Sequence, residues 1–153
     1  MMLGNFLCWN ARGIMNTGTI DYLKSIMSLH QIYLCVILEP MITSDQLSNL
    51  VRKLKLGNSL HCSSINTHIW LMWNDNVRVT EVCHSSQHIT VSVYIVPTEK
   101  DILCSFVYGA LDDKIRKELW EDLNNVASSC TKPWLIFGDF NALLSWKEKK
   151  RGQ

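Results

Sequence analysis

The chain has 153 residues, 47% apolar and 19% charged, with a net charge of +1. That length suits a single domain, and that balance excludes a disordered chain. The near-neutral charge excludes attraction to nucleic acid by bulk electrostatics alone.

In chain order, Leu3 to Trp9 reads as a first strand. Thr17 to Leu29 reads as a helix, because Ile20, Leu23, Ile26 and Met27 recur at helical spacing. Ile32 to Leu38 (IYLCVIL) is apolar throughout, the pattern of a strand buried on both faces. Pro40 cannot extend that strand's ladder. Thr43 or Ser44 then caps a helix with Leu47, Leu50, Val51 and Leu54 on its apolar face, and Gly57-Asn58 is expected to end it.

The middle reads as strands at Leu60–Ile65, Thr67–Trp73, Val77–Cys83, His88–Val96 and Ile102–Tyr108, separated by turns at Asn74-Asp75-Asn76 and Pro97–Lys100. Their spacing predicts one antiparallel meander. Asp112 to Ser128 is the clearest helix. Its stripe is Ile115, Leu119, Leu123 and Val126, and Asp112-Asp113 lie at its positive end. Pro133 to Phe137 is the last strand, followed by the polar and basic stretch Leu143 to Gln153.

No apolar run approaches the roughly 18 residues of a membrane helix. The start Met1-Met2-Leu3-Gly4-Asn5 lacks a secretory pattern, so an intracellular protein is expected. The six cysteines form no Cys-x-x-Cys pair, and Cys8, Cys35, Cys83 and Cys104 sit in apolar runs as reduced, structural thiols. A zinc site from His61-Cys62 and Cys83-His84 is disfavoured, because neighbours on a strand point to opposite faces. The basic clusters Arg52-Lys53-Lys55 and Lys147-Glu148-Lys149-Lys150-Arg151 read first as solvated surface.

Four polar groups stand at strand ends: Asn10, Glu39, Tyr108 and the pair Asp139/Asn141. Ligands of α/β proteins bind outside the carboxyl ends of strands. Asp139 and Asn141 occupy alternate positions, which in extended geometry share one side. A hard cation such as magnesium takes oxygen ligands and only one or two protein carboxylates. Glu39, helped by Asn10, could anchor it, and Asp139 could orient or deprotonate a water. Asn141 and Tyr108 could donate to phosphate oxygens. Each group also has a plainer reading: a solvated Glu, a core Tyr with a wet tip, an Asx turn.

Several blocks occur together: Trp9-Asn10-Ala11-Arg12-Gly13-Ile14, Leu38-Glu39-Pro40, Leu71-Met72-Trp73, Ser86-Gln87-His88-Ile89, Phe106-Val107-Tyr108-Gly109, Leu119-Trp120-Leu123, and Pro133-Trp134-Leu135-Ile136-Phe137-Gly138-Asp139-Phe140-Asn141. On these residues the chain resembles the endonuclease/exonuclease/phosphatase superfamily, and within it the amino-terminal part of plant LINE-type (non-LTR) retroelement endonuclease domains. The resemblance implies an α/β fold: a two-sheet β-sandwich flanked by helices, four layers in all, deoxyribonuclease-like and truncated at the C-terminal side. It implies hydrolysis of DNA phosphodiesters with Mg2+ or Mn2+, and nuclear residence for a working retroelement enzyme. Carried over residue by residue, Glu39 would be the metal carboxylate and Asn10 its neighbour at metal and phosphate. Tyr108 would touch the phosphate, Asp139 would act on the water, and Asn141 would hold the phosphate.

The chain also departs from that family. It ends at Gln153, twelve residues after Asn141, and no His follows His88, whereas the family continues to a Ser-Asp-His block. Residues 1–153 are therefore expected to form one incomplete domain with weak or absent nuclease activity. Much of its second sheet is expected to be missing, and self-association is expected through an uncovered face of the first. Thr67-His68-Ile69-Trp70 stands where the family has a Gly-Gly pair, and His68 reads as packed or exposed rather than catalytic. Glu148-Lys149-Lys150-Arg151-Gly152 resembles the family's Glu-Lys-x-Gly-Gly segment. Two rival readings remain: a phosphatase of the same superfamily, and a non-catalytic remnant or binding module.

Overall fold

A computed structural model of the chain describes residues 5–62 and 66–142. The seven residues of β2 (Ile32–Leu38) set the architecture. Successive side chains on a strand point to opposite faces. Cys35 and Ile37 accordingly join a core with α1 (Thr17–Leu29) and α2 (Ser44–Lys53), while Leu34, Val36 and Leu38 join a core against the second sheet.

The first sheet has the order β1-β2-β4-β3, with β1 at Asn5–Asn10, β3 at Asn58–Cys62 and β4 at Asn66–Trp73. The second has the order β5-β6-β7-β8: Val77–His84, His88–Ile95, Lys100–Tyr108 and Trp134–Asp139. β1 and β2 run parallel through the crossover α1, as do β7 and β8 through α3 (Asp113–Ser129). Val77, Ile89, Val91, Val93, Ile95, Cys104 and Phe106 face the first sheet, and Leu119, Leu123 and Val126 seat α3 on the outer face of the second. The result is four layers: helices, sheet, sheet, helix. Among the described residues no helix is long and apolar enough to cross a membrane.

The helices begin where the sequence placed them. Asn16 accepts from Gly18 N at the start of α1. Thr43 and Gln46 form a reciprocal capping box at α2, and Asp112 accepts from Lys114 N and Ile115 N at α3. Gly57 does not end α2: the helix stops at Lys53, and Lys55 takes φ 56° so that Leu54 and Leu56 can dock into the core. Ile115 is half exposed, which leaves the α3 stripe to the other three residues.

Two larger expectations are corrected. The meander is divided, because β3 and β4 complete the first sheet while β5, β6 and β7 build the second. The first sheet's inner face is not bare either: Leu34, Val36, Leu38, Ile69 and Leu71 are buried under a second sheet that already has four strands by Asp139. Among the described residues the inner face is covered over these side chains, and the exposed apolar side chains of β8 are Leu135 and Ile136. The basic segment after Ala142 lies outside the described residues.

Candidate active site

The two parallel pairs end at one rim. Asn10 closes β1 opposite Leu38 of β2, and Tyr108 closes β7 opposite Asp139 of β8. Glu39 follows β2 directly in a left-handed conformation (φ 50°), held by its N–H donating to His68 O at 2.8 Å and its carbonyl accepting from Gly13 N at 2.8 Å. Arg12 (φ 46°) and Asn141 (φ 47°) are left-handed too. Such conformations cost of order 1–3 kcal/mol each outside glycine and collect at working sites.

The side chains connect around this rim. The Tyr108 hydroxyl donates to Glu39 Oε1, and Arg12 Nε lies 3.9 Å from Glu39 Oε2. Asn10 Nδ2 donates to Asp139 Oδ2 at 3.1 Å, and the Asn141 N–H donates to Asp139 Oδ1 at 2.9 Å. Asn141 Nδ2 donates to Gly109 O at 2.7 Å, and the Gly109 N–H donates to Asp139 O at 2.8 Å. A cleft of about 690 Å³ opens among Asn10, Leu38, Gly138, Asp139, Phe140 and Asn141. All five predicted residues thus stand at one rim. Asp139 and Asn141 do not alternate along a strand, however. β8 ends at Asp139, and an Asx turn carries the chain to a left-handed Asn141.

Asn10 Oδ1 is buried and accepts no hydrogen bond. Burying a polar atom without a partner costs free energy, and here the neighbouring groups of the rim are two carboxylates and a phenol. An amide oxygen beside carboxylates is a donor set for a hard divalent cation. Among the described residues no three His, Cys, Asp or Glu side chains gather into a metal cluster. A cation at this rim would therefore take few protein ligands and keep water, as magnesium does.

Burial first, then the hydrogen bond to Glu39 and the charges of Glu39 and Asp139, push the Tyr108 pKa from 10 up to about 12; the Arg12 charge opposes them. The phenol therefore remains a donor at neutral pH. A spectrophotometric titration should place the ionisation step that Tyr108→Phe removes well above the ordinary tyrosine value, and Glu39→Gln should move it down. A step at the ordinary value would mean that neither the burial of the phenol nor its contact with Glu39 exists in solution. The sign for folding is fixed: the folded state holds this proton more tightly, so this contribution to stability is present below pH 10 and is lost as pH rises toward about 12.

Three further residues belong to the rim although no role there was read for them from the sequence. Arg12 lies inside the Trp-Asn-Ala-Arg-Gly block and is 80% exposed, a solvated cation paired loosely with Glu39. The His68 ring lies 4.8 Å from the Tyr108 ring, tilted by 32°. Buried Gln87 braces the loop after β7: its carbonyl accepts from Tyr108 N, its Oε1 accepts from Ala110 N, and its Nε2 donates to Ile115 O. Arg12 and Gln87 were visible within matched blocks; the position of His68 depends on the pairing of β2 with β4 and left no local signal.

No family model and no curated protein matches the sequence. Solved structures do. The endonuclease domain of TRAS1, a telomere-specific non-LTR retrotransposon, superposes with a TM-score of 0.66 at 16% identity, over 92% of this chain and 62% of that one. A mannosyl-6-phosphatase of Bacteroides thetaiotaomicron gives 0.65 at 10% identity, over 89% of this chain and 64% of that one. An endonuclease/exonuclease/phosphatase family protein of the same organism gives 0.65 at 10% identity, over 89% and 62%. The chain therefore shares its fold with these nuclease and phosphatase structures, and it spans less than two thirds of the length of each of them.

Proposed function

We propose that this chain, which carries the endonuclease/exonuclease/phosphatase fold, hydrolyses phosphodiesters with a divalent metal, and that its substrate is DNA, cut weakly by nicking one strand. The observation that carries the proposal is the unpartnered Asn10 Oδ1, buried at a rim that also holds Glu39 and Asp139.

Glu39 and Asn10 would hold the cation, Mg2+ or Mn2+. Bound there, it would neutralise charge on a phosphate oxygen and on the departing alkoxide. The protein's own groups do the rest. Asp139 is held from both oxygens by Asn10 and Asn141, and is aimed to orient a water and take its proton. As the water oxygen bonds to phosphorus, the bond to the leaving sugar oxygen breaks. Tyr108 keeps its proton and donates to a phosphate oxygen. Asn141 spends one amide N–H on Gly109 O and has a second for the phosphate. The exposed Arg12 meets the neighbouring backbone phosphate.

The likeness to TRAS1 and the Trp-Asn-Ala-Arg-Gly block favour DNA, and with it nuclear residence. The likeness to a sugar-phosphate phosphatase supports a second reading on a small phosphoester. Supercoiled plasmid and mannose 6-phosphate, each incubated with the chain and Mg2+ or Mn2+, separate the two. Conversion of plasmid to the open circle, abolished by chelator, is the expected result. Phosphate release from the sugar without nicking would transfer the assignment to the phosphatase reading. Hydrolysis of neither would leave a binding module.

A further inference from the structure

A second polar cluster lies away from the rim, on the outer face of the second sheet. There a cavity of about 510 Å³ separates β5 and β6 from the C-terminal half of α3, with Cys83, His84, His88, Asp122, Asn125 and Cys130 in its wall. The ladder between β5 and β6 slips between Glu81 and Cys83, so that Cys83 pairs with Thr90. Such a bulge re-aims the side chain that follows it. His88, only 2% exposed, presents Nε2 to Cys83 Sγ at 3.8 Å. Its Nδ1 lies 2.8 Å from Ser85 Oγ and 3.6 Å from Asp122 Oδ2.

That order is thiol, imidazole, carboxylate. With its proton on Nδ1, toward Ser85 Oγ and the Asp122 charge, the ring turns its Nε2 lone pair to the thiol, the arrangement that holds a base ready for a nucleophile. Burial, with His84 nearby, lowers the His88 pKa below 6.5 against the opposing charge of Asp122, so the ring rests neutral; the Asp122 charge is what favours its taking a proton. Cys35 and Cys104 are pushed up to about 12 and Cys8 to about 11 by burial. Those thiols are inert packing; Cys83 faces a cavity with a base.

We propose that Cys83 is a base-assisted nucleophile that accepts a low-molecular-weight disulfide in this cavity. The Cys83 proton passes to His88 Nε2, and the thiolate attacks one sulfur of the incoming disulfide. A new sulfur–sulfur bond forms at Cys83, the original one breaks, and the departing thiolate recovers the proton from His88. Cys83 is oxidised to the mixed disulfide, and the other half of the reagent is reduced to a thiol.

Glutathione disulfide is the probe, with the adduct at each cysteine quantified by mass spectrometry against time. Cys83 is expected to be modified at least about tenfold faster than Cys130, its neighbour in the same wall. His88→Gln and Asp122→Asn are each expected to slow it by about tenfold or more, with circular dichroism unchanged. Should His88→Gln unfold the chain, Asp122→Asn decides, because that side chain is 35% exposed and can lose its charge without opening the core. Equal rates at Cys83 and Cys130, or a Cys83 rate indifferent to the substitutions, would overturn the proposal.

Discussion

Glu39→Gln is expected to reduce metal-dependent cleavage by about 10³-fold or more, the scale on which a unit of the catalytic set is lost, while leaving the protein folded. The substitution keeps size and removes charge. The Tyr108 hydroxyl still finds an amide oxygen to accept its hydrogen bond, and the N–H donated to His68 O is untouched. The ion pair with Arg12 disappears, but that guanidinium is 80% exposed, and such pairs contribute about 0–1 kcal/mol. What is lost is the carboxylate a divalent cation needs at this rim. Mn2+ binding followed by electron paramagnetic resonance reads the same loss without turnover: free Mn2+ should persist in the variant at concentrations where the parent chain removes it. Unchanged affinity and unchanged cleavage together would place the cation elsewhere and remove Glu39 from the mechanism.

Much of this rim was legible because its signals are local. A strand buried on both faces writes itself as an unbroken apolar run, and the first polar residue after it marks the rim, as Glu39 does after Ile32–Leu38; the apolar run Leu135–Phe137 also ends at the rim, but it belongs to an edge strand with Leu135 and Ile136 exposed. Caps at Thr43 and Asp112 are equally local. What was not legible depends on partners distant in sequence. The turn Asn74-Asp75-Asn76 has the residues of a hairpin loop, yet β4 and β5 belong to different sheets, and alternation along a strand does not encode which sheet it joins. Alternation also failed at Asn141, whose left-handed backbone is set by the hydrogen bond to Asp139 Oδ1. The Asp122 carboxylate beside His88 was hidden for the same reason: it comes from α3.

Gly138→Ala should be the most damaging glycine-to-alanine change among the described residues. Gly138 has φ +140°, and a Cβ there would stand 2.0 Å from Val107 O and 2.8 Å from Val107 C, both backbone atoms of β7. Backbone in a paired central strand cannot step aside as a side chain can, so β8 must part from β7. That separates Tyr108 from Asp139, which face each other in register, and disturbs the stacking of Phe106 on Phe137. Urea denaturation should show a loss of about 4 kcal/mol or more, the exceptional end of single-substitution effects and a large share of the roughly 5–15 kcal/mol that holds a domain folded. Gly57→Ala supplies the contrast: the nearest atom to its Cβ is Asp75 Oδ1 at 3.9 Å, ordinary contact with a side chain, so its midpoint should barely move. Because Gly138 immediately precedes Asp139, any Gly138→Ala protein that remains folded should also have lost Mn2+ affinity. If it proved as stable as Gly57→Ala, β8 could not lie against β7 as described, and the position of Asp139 beside Asn10 would have to be abandoned with it.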